Sequence, residues 1–185
     1  GGILSIANIA SVMANDNKCI NNLAEHGGCM SISNMNSIKF WNCKFEKNYG
    51  TQEGGALYIC NCLSVQIINS ELSKNAAKTY GGGISFVKTK IVRMVSLACS
   101  VNRAESGASI SVWTVRQVII INSLFTKNFA STTGGAVYVQ CRQNVSEWNM
   151  INSASTSVIF NNVTYTKNIA KFGAGAYVEH CTHFM

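Results

Sequence analysis

The sequence predicts an all-β fold: a right-handed, single-stranded parallel β-helix of about six and a half coils, with about 27 residues and three short strands in each coil. Three observations predict it. Glycine-rich triplets recur at a nearly constant interval, a second mark ending in Asn recurs at the same interval, and the residues between these marks alternate apolar and polar side chains. A helical protein is not expected, because alternation with a period of two and abundant β-branched residues are typical of strands.

The first mark is a glycine-rich triplet that opens each coil. Successive triplets are separated by 26, 27, 27, 26, 27 and 39 residues. They begin at Gly1, Gly27, Gly54, Gly81, Gly107, Gly134 and Gly173. Because glycine adopts positive φ and permits close approach of two backbones, we expect a bend of the coil at each triplet. The long last interval predicts a loop inserted at about 140–157 in a single β-helix domain of residues 1–185.

The second mark is an Asn that follows an apolar residue by three positions, as Asn48 follows Phe45. These residues are Asn22, Asn48, Asn75, Asn102, Asn128 and Asn168. We expect each Asn to occupy a bend with left-handed backbone and its amide to bond to its neighbours as a structural Asn ladder. A second polar column, three residues before the apolar residue, predicts another bend at Asp16, Asn42, Asn69, Ser96, Asn122 and Asn162.

The alternating segments supply the core. Leu57 and Ile59 follow one glycine pair, and Val65 and Ile67 begin a second apolar column after a five-residue connection. Equivalent apolar residues recur in the other coils, which parallel stacking requires because each side chain then lies about 4.8 Å from its equivalent in the next coil.

The combined pattern of Gly54-Gly55-Ala56-Leu57-Tyr58 and Phe45-Glu46-Lys47-Asn48 resembles the repeats of chlamydial polymorphic outer membrane proteins and related pectin-lyase-like β-helix proteins. The resemblance covers nearly the whole chain apart from the insertion. Members of this family are surface-exposed passenger domains, adhesins and other extracellular solenoids. The resemblance therefore implies an extracellular or cell-surface location, and it specifies the scaffold more strongly than the function.

The acidic residues argue against catalysis. Glycoside hydrolysis generally needs two carboxyl groups about 5–9.5 Å apart, and calcium-dependent lyases need clustered carboxylates. The chain has Asp16 as its only Asp, and its Glu residues fall at scattered positions of the coil. We therefore expect no enzyme, with a polysaccharide lyase or hydrolase as the least favoured function, and no metal or other cofactor.

The basic residues suggest a partner. Lys and Arg number 15 against 8 acidic residues, giving a net charge of +7. In four coils a Lys directly precedes the ladder Asn: Lys47, Lys74, Lys127 and Lys167. Such a column would attract a polyanion such as an acidic or sulfated glycan, and the alternative is a solvated edge that keeps the solenoid soluble. No nucleic-acid partner is expected.

A Ser/Tyr column alternates with the inward residues of the first strand in each coil, so its side chains point outward. Its aromatic members are Tyr58, Tyr138 and Tyr177. They could stack on sugar rings or contact another subunit, and the alternative is that they simply cover a face of the sheet.

Cysteines and glycosylation sequons complete the candidate sites. Cys141 and Cys181 occupy nearly the same position in successive coils and are candidates for a disulfide, whereas Cys19 and Cys99 are expected to be buried free thiols. Asn144 and Asn162 begin sequons. We expect Asn144 to be accessible in the inserted loop, and the side chain of Asn162 to be buried in a ladder.

Together these features predict an extracellular structural glycoprotein. We expect a subunit of a surface coat or of a head-to-tail filament, either a segment of a longer solenoid or a protomer that self-associates through its open coil ends. The alternative is a surface adhesin that binds carbohydrate or polyanion. No transmembrane segment is expected, because no apolar run approaches about 20 residues.

Overall fold

A computed structural model describes residues 2–141 and 156–185 of the chain, and every regular element in them is a β-strand. It confirms the predicted all-β solenoid, with about six turns of about 27 residues. None of the described residues forms a helix that could cross a membrane.

Twenty-one strands make up the described part of the chain. They are β1 (Leu4–Ala7), β2 (Ser11–Asn15), β3 (Lys18–Ile20), β4 (Leu23–His26), β5 (Met30–Ser33), β6 (Ser37–Trp41), β7 (Lys44–Glu46), β8 (Tyr49–Glu53), β9 (Leu57–Cys60), β10 (Ser64–Ile68), β11 (Glu71–Ser73), β12 (Ala76–Ala77), β13 (Ile84–Val95), β14 (Ala98–Ser100), β15 (Arg103–Ser106), β16 (Ile110–Thr126), β17 (Phe129–Thr133), β18 (Val137–Gln140), β19 (Ser157–Thr166), β20 (Ala176–Glu179) and β21 (His183–Phe184).

All the strands pair in parallel, each with its equivalents in the coils before and after it. The second strand of one coil shows the register, since Val65 pairs with Ile38 on one side and with Val92 on the other. Most strands belong to one sixteen-stranded sheet, whereas β4, β8, β12, β15 and β17 form a separate five-stranded sheet. One face of each sheet therefore packs against the common interior of the solenoid.

Each coil has four short segments, one more than the three predicted. In the coil that begins at Gly27, they are β5, β6, β7 and β8. A residue with positive φ follows nearly every segment, with β18 and β21 as exceptions, and these residues form four columns along the solenoid. The residues after the first segment are Asn8, Asn34, Asn61, Lys88, Thr114 and His180, and those after the second are Asp16, Asn42, Asn69, Ser96, Asn122 and Asn162. The residues after the third segment are Asn21, Lys47, Lys74, Val101, Lys127 and Lys167. Those after the fourth are Gly27, Gly54, Gly81, Gly107, Gly134 and Gly173.

The predicted bend at the second polar column is confirmed, but the left-handed backbone predicted for the ladder Asn was wrong. The left-handed residue is the one before it, as at Lys47, with φ 55°. Asn48 instead follows the bend and turns its side chain into the interior, where it is 1% exposed. The local preference of Asn for left-handed backbone is overridden because the interior ladder needs the amide one position later.

In four coils a second glycine follows the left-handed glycine, and backbone packing favours it there. A Cβ on Gly55 would lie 1.9 Å from the carbonyl oxygen of Gly82, the equivalent glycine of the next coil. A side chain at Gly55 would therefore force these two coils apart, whereas Ala108 and Ala174 show that the corner of other coils accommodates a methyl group. This contact explains why only small residues, Gly or Ala, occupy the position after the left-handed glycine.

The interior is filled by rows of equivalent apolar residues. One row contains Phe45, Leu72, Cys99 and Phe125, each no more than 1% exposed. Cys99 is a buried free thiol, as predicted, and burial raises its pKa. The prediction for Cys19 was wrong, because Cys19 forms a disulfide with Cys29. The two lie in different columns that face each other across the interior, a proximity that the repeat pattern does not encode.

Candidate functional site

The predicted Tyr and Lys residues do not form one site. Tyr58 lies on β9, just after the glycine corner that ends the five-stranded sheet, whereas Lys47 lies at the bend where that sheet begins. Their equivalents in other coils follow the same registers. The structure therefore separates two candidate surfaces, one at each end of the five-stranded sheet.

The first surface is an aromatic row of Tyr58, Tyr80, Trp113, Tyr138 and Tyr177. Tyr138 and Tyr177 pair in register on β18 and β20, and their rings stack with centroids 6.0 Å apart. The Tyr80 ring lies 4.8 Å from that of Trp113 and 6.3 Å from that of Tyr138. Tyr80 and Trp113 belong to other columns of the repeat, so the sequence pattern alone did not place them here.

Small residues make room for this arrangement. Ser85 and Ser111 stand between Tyr58 and Tyr138 in the Ser/Tyr column, and both are fully buried. Tyr138 in the same column is also only 5% exposed. Side chains from neighbouring positions cover the column, and its partly exposed members are the rings at its edges.

Carboxylates accompany the aromatic row. The Tyr138 hydroxyl donates to Glu179 Oε1 at 2.6 Å, and Ser85 Oγ donates to Glu53 Oε2 at 2.9 Å. Burial raises the pKa of the Tyr80 and Tyr138 hydroxyls, and nearby carboxylates raise it further. These phenols therefore remain neutral at physiological pH and can both donate and accept hydrogen bonds.

Several buried polar atoms along the row have no hydrogen-bond partner among the described residues. They are His26 Nδ1, Ser111 Oγ, Trp113 Nε1 and Gln140 Oε1. His26 belongs to the same surface, because its ring lies 4.8 Å from that of Tyr58. A buried polar atom without a partner costs about 1–3 kcal/mol, so four of them on one surface are a reason to consider a polar ligand there.

The second surface is a cation row, defined by Lys47, Lys74, Arg103, Lys127 and Lys167. The Lys side chains are exposed and follow consecutive registers, apart from the coil in which Val101 takes the Lys position. Arg103 stands two residues after Val101 and is also exposed. Five successive coils therefore each carry one cation at or next to this corner, four of them a Lys at the bend and one Arg103 in the adjoining column.

Two acidic residues neutralise one end of this surface. Lys44 lies 3.3 Å from Glu46 and 3.4 Å from Glu71, and Lys74 lies 3.3 Å from Glu46. The hydrogen bond from Lys44, followed by that from Lys74, holds the pKa of the Glu46 carboxyl below its ordinary value. The other members of the cation row have no such ion pair among the described residues.

The Asn ladder lies inside the same corner and orients it. Asn48 donates from its backbone N and from Nδ2 to Asn75 Oδ1, at 2.9 and 3.0 Å. The same pair of bonds links Asn75 to Asn102, Asn102 to Asn128, and Asn128 to Asn168. Asn22 likewise bonds to Asn48 Oδ1. Because each ladder Asn points inward, the residue before it in the cation row points outward.

The remaining candidate residues serve the scaffold or its modification. Cys141 and Cys181 are joined in a disulfide. Asn144 lies outside the described residues. Asn162 was expected to be buried, but it is exposed, and its Nδ2 donates to Asn122 Oδ1 at 2.8 Å on the outside of the solenoid. The described residues contain no group of His, Cys, Asp or Glu that could hold a metal ion, and the absence of catalysis stays a prediction.

One segment of the chain contains both repeat marks in succession. It begins at the bend at Asn122, includes Phe125 and Asn128, and ends on the strand after Gly134-Gly135. This segment, residues 122–140, matches the Chlamydia polymorphic membrane protein repeat. This one segment of the parallel β-helix is similar to a polymorphic membrane protein repeat, and the β-solenoid is consistent with that type of fold. The matched repeat is consistent with a protein that is associated with a membrane or with the cell surface. The two disulfides are consistent with an extracytoplasmic location. No curated protein and no solved structure matched the chain.

Proposed function

We propose that this repeat β-helix is an extracytoplasmic surface protein that binds a neutral glycan along the aromatic row. The observation that carries the proposal is the cluster of four aromatic rings, those of Tyr80, Trp113, Tyr138 and Tyr177, beside four buried polar atoms that have no hydrogen-bond partner among the described residues. A sugar presents apolar C–H faces, on which rings can pack, and hydroxyl groups, which can satisfy donors and acceptors.

The size and charge of the row narrow the ligand. Tyr58 and Tyr177 stand four coils apart, which corresponds to about 19 Å at the spacing of parallel strands. This length suits an oligosaccharide better than a single sugar. Glu53 and Glu179 lie on the row and would repel a uronate or sulfate group, so a neutral or amino sugar is favoured over an acidic one.

Substitutions in the row should weaken glycan binding. We expect Tyr177→Ala to reduce the affinity for a neutral oligosaccharide about tenfold, since burial of a large apolar side chain contributes about 1.5–3 kcal/mol. Trp113→Phe keeps a ring but removes the Nε1 donor, and we expect a loss of about fivefold. Titration calorimetry with cellohexaose, chitohexaose and polygalacturonate would measure both effects and the preference for neutral ligands.

Trp41→Phe is the matched control, because Trp41 is exposed on the second segment, away from the row. A further variant separates binding from stability. Ser111→Ala removes a hydroxyl that lacks a partner and is closed off from solvent, so it should leave glycan binding unchanged and the melting temperature unchanged or higher. The proposal fails if no neutral oligosaccharide binds, or if Trp113→Phe binds as tightly as Trp41→Phe.

A structural role in a surface coat or head-to-tail filament is the second candidate. It is favoured by the unbroken register in which backbone and Asn bonds link one coil to the next, because a further copy could continue that register. Occupied sequons at Asn144 and at the exposed Asn162 would make this subunit a glycoprotein. Electron micrographs of the purified protein over a range of concentrations should show fibres, and a monomer at every concentration would contradict this role.

A further inference from the structure

An exposed apolar column runs beside the cation row on the outer side of the five-stranded sheet. Leu23, Tyr49, Phe129 and Ile169 are 64%, 42%, 41% and 59% exposed. Each follows a ladder Asn directly, so it stands two residues after the position of the cation row in its own coil. Large apolar side chains that recur at one position of a surface indicate a contact with a partner more than isolated ones do.

The pairing of the strands places these side chains in one column, in which Ala76 and Arg103 stand between Tyr49 and Phe129. Leu23 pairs with Tyr49, and Phe129 pairs with both Arg103 and Ile169. The Arg103 guanidinium lies 5.8 Å from the centre of the Phe129 ring. Arg103 thus stands within the apolar column, and the Lys members of the cation row form a parallel column two residues earlier in each coil.

Nearby acidic groups do not cancel this charge. Glu46 is bonded to Lys44 and Lys74, which leaves Lys127 and Lys167 with no ion pair among the described residues. The next outward column contains both signs in equal number: Glu25, Lys78, Glu105 and Lys171. The surface as a whole is thus basic and apolar.

We propose that the cation row and the apolar column together dock this surface on a membrane that contains anionic lipid. Basic side chains are attracted to the lipid phosphates, and their contributions add along the row. The apolar column can enter the boundary between headgroups and acyl chains. An acidic polysaccharide would use only the cations and leave the apolar column exposed, so the lipid surface accounts for more of the observed residues.

Vesicle cosedimentation tests the proposal with the complete chain. The protein should pellet with phosphatidylcholine vesicles that contain phosphatidylglycerol, should not pellet with pure phosphatidylcholine, and should be released by salt. We expect Lys127→Glu combined with Lys167→Glu to lower the partition coefficient about tenfold or more. The control is Lys90→Glu with Arg116→Glu, which changes the net charge equally at a different corner.

A second variant distinguishes the membrane from a soluble polyanion. Phe129→Ser with Ile169→Ser should reduce vesicle binding about fivefold and leave retention on heparin unchanged, because it removes apolar contact only. Circular dichroism would establish that each variant is folded. Retention on heparin without vesicle binding would overturn the proposal in favour of a polysaccharide partner. An equal loss of vesicle binding in the control variant would also overturn the proposal, because net charge alone would then explain the binding.

Discussion

Replacing Asn102 by alanine is expected to lower the free energy of unfolding by about 4 kcal/mol. Asn102 is fully buried, and its Oδ1 accepts hydrogen bonds from the backbone N and Nδ2 of Asn75 at 2.9 and 3.2 Å. Its Nδ2 donates to the carbonyl oxygen of Leu72 at 2.8 Å. Alanine would leave at least two buried backbone groups without partners, and each such group costs about 1–3 kcal/mol.

The same substitution at the first ladder position provides the control. Asn22 is only half-buried, and its Nδ2 donates to Ile20 O and to Asn48 Oδ1. No described residue donates to Asn22 Oδ1, so we expect Asn22→Ala to cost about 1 kcal/mol. Urea unfolding followed by circular dichroism would compare the two variants. Equal destabilisation would show that the ladder does not act as a continuous hydrogen-bonded element.

Removing the disulfide between Cys141 and Cys181 should have an effect of similar size. The bridge closes a segment of 40 residues, and the chain-entropy relation gives about 4 kcal/mol for a loop of this length. The reason is that the bridge restricts the unfolded chain on both sides of the long connection between two successive coils. We therefore expect Cys141→Ala with Cys181→Ala to lower the melting temperature markedly under non-reducing conditions.

Cys60→Ala is the matched control, because Cys60 is a half-buried free thiol. Thiol titration of the denatured, non-reduced protein should give four reactive groups, from Cys43, Cys60, Cys62 and Cys99. Eight reactive thiols would contradict the stabilising role of the bridge. A double variant with the same melting temperature as Cys60→Ala would contradict it as well.

The two proposed surfaces share one structural support. The aromatic row follows the glycine corner at one end of the five-stranded sheet, and the cation row precedes the sheet at the other end. The Asn ladder fixes the backbone beneath the cation row, while the glycine pair fixes the corner beneath the aromatic row. A variant that disrupts either element should therefore be checked for folding before any loss of binding is interpreted.

The repeat in the sequence determined the solenoid, its period and its inward rows. These were predictable because parallel stacking brings residues at the same position of successive coils into register, as for Val65 and Val92. The same rule placed Cys141 and Cys181 at neighbouring positions and identified the Lys members of the cation row. Contacts along the axis can be read from the period alone.

Contacts between different columns were decided only by the tertiary structure. Tyr80 and Trp113 enter the aromatic row from other positions of the repeat, and Arg103 supplies the cation in the coil where Val101 replaces Lys. Cys19 meets Cys29 across the interior for the same reason. The period specifies which residues lie above one another, whereas the bends between segments decide which columns face each other, and with them the shape of both candidate surfaces.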